Sequence, residues 1–511
     1  MRNPDYDHYL EENWFFEALS ETYLPIITLL SRLAEKGFPG ALNLSVSAPL
    51  LAMMQDGLLL KRYSRHLDEQ LHLSEKELAR FAGDPAHYEI ARFYHDRQME
   101  LIRVWNDVCA HDVLSQFRSL EKRGKLNILT CVGTHPFLPA YQGAPDAIRF
   151  QLALTVRAFE EAFHKRPEGL WLPECGYFEG LDKLLAEFGF KYFFLETHGV
   201  LLAKPTPRYG VFSPIRTPAG LYCMGREQTS SVEVWSRTHG YPGHPEYREF
   251  FRDIGKERDR GYLGEYFFAG NNPVDTGFKY YRITGGEDKA LYRPWQALQL
   301  AREHARLFIS NREATIASLT DGMENGFPSI LCPYDAELFG HWWFEGPQFI
   351  ESLFERAAIS HVLEMGSLAD IAKVCADDEP HIPAFSSWGE GGFGSVWING
   401  EVEWMYPMFY KMRATFHALP APGSEIQNRL LAQMAREMAL FQASDWAFMI
   451  HNHSAADFAK AQLGEHYNNF VKLASGYAQP DDAAVQFLNK TEAKDNPFPW
   501  MDSSVYGALR S

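Results

Sequence analysis

From residue 126 to residue 198 the chain repeats one order: a short apolar run, a polar loop with Gly or Pro, then a charged segment with apolar residues at helical spacing. Leu126–Cys131, Gly169–Leu172 and Lys191–Leu195 are the apolar runs, separated by helical patterns at about 146–164 and 179–189. Strands joined by helical crossovers lie parallel, so an α/β architecture with a parallel sheet is expected. Upstream, 12–36 reads as an amphipathic helix ended by Gly37, and Ala41–Ser47 as another strand. Residues 50–123 are periodic and nearly free of Gly and Pro, which predicts two or three helices.

The alternation is lost from about 200 to 290, where Pro, Gly, Tyr and Arg dominate, as in Arg237-Thr238-His239-Gly240-Tyr241-Pro242-Gly243. Long irregular insertions are functional or disordered, and this one is too aromatic for disorder. It is expected to be a subdomain or lid over the site. A helix at about 294–316, a strand at Ser329–Cys332, a helix at 347–358 and a last strand-helix unit at 359–376 follow. Residues 401–475 are helical throughout. The expected domains are therefore 1–200 with 291–384, an insertion at 201–290, and a C-terminal helical domain at 385–511.

At 511 residues the chain can bury a large core, and two or three domains are expected. Its net charge of -17 argues against nucleic-acid or anionic-membrane partners, which call for a basic face. The six cysteines form no CxxC or disulfide-like spacing and read as free thiols of a reducing compartment, the cytoplasm. No apolar run reaches 18 residues and the start has no signal-like core, so a soluble protein is expected. Assembly as a monomer or small homo-oligomer is expected.

Two stretches carry the chemistry. Trp171-Leu172-Pro173-Glu174-Cys175-Gly176-Tyr177 and Pro333-Tyr334-Asp335-Ala336-Glu337-Leu338-Phe339-Gly340-His341-Trp342-Trp343 each set a carboxylate among aromatics just after an apolar run. That is where a buried strand ends and exposes a reactive group. Burial beside rings raises a carboxyl's proton affinity, and sugars stack on aromatic faces while carboxylate pairs cleave glycosidic bonds. Glu337 competes with Asp335 on spacing alone.

With these motifs, the Thr134-His135 turn, Ser230-Ser231-Val232-Glu233-Val234-Trp235, Gly240–Gly243, Ser386–Trp397 and Ala443-Ser444-Asp445-Trp446-Ala447-Phe448, the chain resembles glycoside hydrolase family 57, and within it the 1,4-α-glucan branching enzymes. The resemblance implies a distorted barrel of seven β/α units, an inserted helical subdomain and a C-terminal helical domain whose aromatics reach the cleft. It implies an α-glucan substrate and a retaining mechanism without metal or cofactor, with Glu174 as nucleophile and Asp335 as general acid/base. Relatives open with a strand ending in a His-x-His-x-Pro turn. Here Arg2–Tyr6 reads as its continuation, and a start placed too late is expected rather than a barrel without its first strand.

On the same pattern His135 is expected to bond a sugar hydroxyl and Tyr241 to act on a lid. Trp235, His341, Trp342, Trp388, Trp397 and Trp446 are the further candidates for substrate contact, with packing in the interior their rival. Asp445 is expected to orient Trp446 or a substrate hydroxyl. His451 and His453 lack further ligands at metal-binding spacing, so no metal site is expected.

Overall fold

The computed structural model describes residues 2–236, 238–284, 286, 288–320, 323, 328–375 and 379–510. Its centre is a sheet of strands β1 (Leu42–Val46), β2 (Leu126–Cys131), β3 (Gly169–Trp171), β4 (Tyr192–Leu195), β5 (Ile215–Arg216) and β6 (Tyr222–Gly225), in the order β1-β2-β3-β4-β6-β5. All neighbours are parallel except the short β5 at the edge. In register, Leu44 faces Ile128, Cys131 faces Trp171, Leu170 faces Phe193 and Leu195 faces Gly225. The carboxyl ends of five strands therefore open on one side, where α/β sheets put their ligands.

The helices Pro145–Phe163 and Leu181–Glu187 make the crossovers between β2, β3 and β4, as the periodicity predicts. The sheet also draws β5 and β6 from the stretch expected to be an insertion. Two- and four-residue strands are too short to show a period. Past β6 the expected strand at Ser329–Cys332 shrinks to a single parallel bridge, Arg226 to Leu331. At the other edge Gly366 and Leu368 bond only the side chain of Asn43 in β1. The expected last strand-helix unit is a 3-10 turn at Leu368–Val374. Past these strands the sheet is thus continued only by single contacts in place of full ladders.

Residues 50–123 form four α-helices, one more than the upper expectation: Ala48–Met54, Gly57–Arg80, Pro85–Arg103 and Val113–Lys122. Asp56, Asp84 and Asp112 cap the last three through their side chains. The first long helix runs as Leu10–Ala18 and Leu24–Glu35 with a π-turn, Leu19–Tyr23, between.

Two large apolar cores, with a small third one around Tyr192, Phe194 and Met224, hold these layers. One joins the sheet to the C-terminal helices, with Leu170, Phe193, Trp397, Phe409 and Met434 all buried in it. The other joins the N-terminal helices to the irregular stretch and to the helix Gly346–Ala357, around Tyr63, Trp105, Tyr247 and Phe349. The first core has a direct consequence for the site, because it fixes the C-terminal helices against the carboxyl end of the sheet. Among the described residues no helix is long and apolar enough to cross a membrane.

Candidate active site

The turns after β2 and β3 and the helix Ser444–His451 meet at one point. After β2, Gly133 takes φ 38°, and the Gln151 carboxamide oxygen lies 1.8 Å from where a Cβ would stand. A side chain there would have to displace Gln151 and hold a left-handed backbone, so glycine is favoured at that turn. It delivers His135, itself left-handed at φ 64°. After β3, Pro173 opens a short turn in which Glu174 (φ 60°) and Cys175 (φ 51°) are also left-handed. Three non-glycine residues in this region at one sheet end mark backbone held in place by its surroundings. The strap that holds it is C-terminal: Pro136 bridges Ala443, and Ser444 N–H donates to the His135 carbonyl at 2.9 Å.

Glu174 is buried and fully engaged. Ser444 Oγ donates to Oε1 at 2.7 Å, Trp388 Nε1 to Oε2 at 2.6 Å, and His135 Nε2 stands 3.5 Å from Oε1. The Glu174 carbonyl also accepts from Trp388 N–H at 2.8 Å. Burial pushes this carboxyl up, yet His135, Ser444 and Trp388 together outweigh it and hold Glu174 below the ordinary carboxylate value. Behind His135, Cys131 Sγ lies 3.1 Å from Nδ1. Burial alone would lower the imidazole's proton affinity, but Cys131 and Glu174 raise it well above normal.

Asp335 lies in the opposite condition. The bridge at Leu331 brings its segment to the same sheet end, and its carboxyl reaches solvent. Protein crowds its other sides. Desolvation, then the charges of Glu337 and Glu174, raise it to about 6, against the pull of His135. Among the described residues no side chain hydrogen-bonds it. Asp445 is likewise open to solvent, and burial on its other sides together with Glu174 raises its carboxyl. His135, Glu174, Asp335 and Asp445 thus form one electrostatically linked group, with the Glu174 carboxyl held low and those of Asp335 and Asp445 both raised.

The aromatic candidates divide. Trp388 is half-buried beside Trp171, ring centroids 5.0 Å apart, with Arg226 over its face at 5.8 Å. Trp397 is 1% exposed and stacks on Phe137 at 4.8 Å, so it is core and offers no face to a ligand. Trp446 gives its N–H to the Leu440 carbonyl and packs between Phe458 and His466. Tyr241, expected on a lid, stacks on His304 at 4.5 Å in a turn seated on the second core. His341 bridges Glu21 and Glu17 at 3.0 and 3.5 Å, while Trp342, 57% exposed, stacks on Phe250. Trp235 stands 66% exposed at the end of the helix Gln228–Trp235.

His451 faces Glu390 and Glu401, and His453 also reaches Glu401 at 3.9 Å. Glu437, His466 and Asp495 bring ligand atoms within 4.8 Å of one another inside the C-terminal helices. There His466 Nδ1 and Glu437 Oε2 are already paired at 2.7 Å. Sequence reasoning does not single out Ser444 or Cys131. Ser444 stands inside the Ala443–Phe448 motif, which was its only available signal.

The profile of glycosyl hydrolase family 57 matches residues 1–258, and that of the 1,4-alpha-glucan branching enzyme C-terminal domain matches 405–506. The chain belongs to glycosyl hydrolase family 57. A 1,4-alpha-glucan branching enzyme of Thermococcus kodakarensis is 29% identical over 95% of this chain and 74% of its own length. An alpha-amylase of Thermotoga maritima is 34% identical and superposes with a TM-score of 0.91, covering 100% of this chain and 96% of that one. A family 57 branching enzyme of Pyrococcus horikoshii superposes at 0.87 with 28% identity, over 98% and 93% of the two chains. The parallel α/β sheet with a C-terminal helical layer, expected from sequence, is common to this family.

Proposed function

We propose that the chain is a 1,4-α-glucan branching enzyme. Glu174 attacks the anomeric carbon of an α-1,4-linked glucan as the bond to O4 breaks, and Asp335 gives its proton to that oxygen. The departing chain leaves a glycosyl ester on Glu174. Asp335, now a carboxylate, takes the proton of an acceptor 6-hydroxyl, whose oxygen attacks the same carbon and frees Glu174. Two displacements restore the original configuration and create an α-1,6 branch.

The observation that carries this reading is the split between the two carboxyls: Glu174 held ionised by three donors, Asp335 raised to about 6 beside it. A nucleophile must be charged and an acid protonated at the same pH. The match over residues 405–506 favours transfer as the outcome. His135, Trp388 and Asp445 line the sugar subsite; Tyr241, Trp235, His341 and Trp342 are its outlying contacts. The catalytic unit takes in 1–200 and 291–384 with β5 and β6, and the helical domain begins near 385. The setting is glycogen synthesis in the cytoplasm, as a monomer or small homo-oligomer, in keeping with six cysteines that form no disulfide.

The likeness to an alpha-amylase supports a second reading, hydrolysis in place of transfer. Incubation with amylose separates them. Branching yields new α-1,6 linkages with few new reducing ends; hydrolysis yields the reverse, and neither product defeats both readings.

A further inference from the structure

Beneath Asp335 lies a contact that the reaction above does not use. The N-terminal helix passes through the π-turn Leu19–Tyr23, and an extra residue in a helix turns everything after it by about 100°. Tyr23, 2% exposed, thereby reaches across to donate its hydroxyl to Glu337 Oε1 at 2.7 Å. Burial, Glu337 and Asp335 keep that phenol neutral, so it remains a donor. The backbone sets the same register. Gly340 sits at φ 126°, and a Cβ there would stand 1.7 Å from the Glu21 carbonyl oxygen. The turn Ala336–Leu338 and its sequel therefore rest directly on the π-turn.

We infer that Glu337, pinned by Tyr23, is a positioning residue whose fixed charge holds the proton on Asp335 until a glycosidic oxygen takes it. The titratable groups facing Asp335 are Glu337 on its own turn, Tyr23 from the π-turn, Glu174 after β3, His135 after β2 and Asp445 from the C-terminal helix. The negative charge on Glu174 disappears when that residue becomes the glycosyl ester; the charge on Glu337 does not. Glu337 is thus the neighbour that also keeps Asp335 a strong enough base to deprotonate the incoming hydroxyl. Tyr23 keeps that charge in one place.

The inference rests on the assignment of Asp335 as acid/base, and its test separates the two. In Glu337→Gln the basic limb of kcat/KM on amylose should move down by roughly one pH unit, the size expected for loss of a close like charge. Tyr23→Phe should move the same limb in the same direction by less, and Tyr23→Phe/Glu337→Gln no further than Glu337→Gln alone. Should Glu337→Gln fail to fold, the limb of Tyr23→Phe decides. A basic limb unmoved in both variants, whatever happens to kcat, overturns the inference and leaves the role of Asp335 standing. Full turnover by Asp335→Asn overturns that role instead.

Discussion

The two carboxylates of the site, Glu174 and Asp335, are held in opposite ways. Glu174 sits on strained backbone, enclosed, with donors from a neighbouring strand turn, a Gly-rich loop and a C-terminal helix. Asp335 stands open to solvent on a turn that is anchored below, through Glu337 and Gly340. One carboxyl is given donors, and the other is given crowding and like charge. The same side-chain type thus acquires opposite chemistry from what surrounds it.

The largest test of this contrast is replacement of each carboxyl. Glu174→Gln should reduce turnover on amylose by about 10^4-fold or more, as removal of a nucleophile does. Asp335→Asn should cost about 10^2- to 10^4-fold, with added azide restoring turnover of an activated glucosyl donor for Asp335→Ala but not for Glu174→Gln. Next in size is Ser444→Ala. Loss of a donor to a charged acceptor is worth about 1.5–3 kcal/mol, and Glu174 should then titrate higher, so the acid limb of the rate profile moves to higher pH. An unmoved acid limb would remove Ser444 from the site.

Smaller still is Trp388→Phe, which keeps a ring but loses the N–H to Oε2; a roughly tenfold fall in kcat is expected. Trp397→Phe should alter the melting temperature more than KM, since Trp397 packs on Phe137. The smallest effect concerns stability. Asp335 binds its proton more tightly folded, near 6, than unfolded, near 3.9. Its ionisation therefore costs the fold as pH rises between those values, and the cost persists above them. Asp335→Asn should melt roughly 1–2 °C higher at pH 7.5 and no higher at pH 3.5, a modest shift because the group reaches solvent. Glu174, lowered in the fold, gives the opposite sign: Glu174→Gln should gain nothing at pH 7.5.

Much of this was legible from the chain. The strand-loop-helix order announces the parallel sheet, and the Glu174 and Asp335 motifs carry enough aromatic context to be recognised. What escaped did so for physical reasons. Ser444 meets Glu174 across 270 positions, and a serine near a helix start ordinarily reads as a cap. β6 and the bridge at Leu331 are too short for periodicity. Trp397 is a stacking candidate through its family-like motif, with packing as the rival, and packing is where the structure puts it, since large rings are most often spent that way. The π-turn has no sequence signal, since its residues would suit an uninterrupted helix equally well.

Because Ser444 and the Pro136–Ala443 bridge complete the surroundings of Glu174, the proposed nucleophile is prepared by residues made some 270 positions after it. During synthesis the strand end that bears Glu174 emerges early, yet it lacks its Ser444 donor until the far helices have been translated and docked. A partly made chain therefore carries Glu174 without the Ser444 donor that the finished fold supplies.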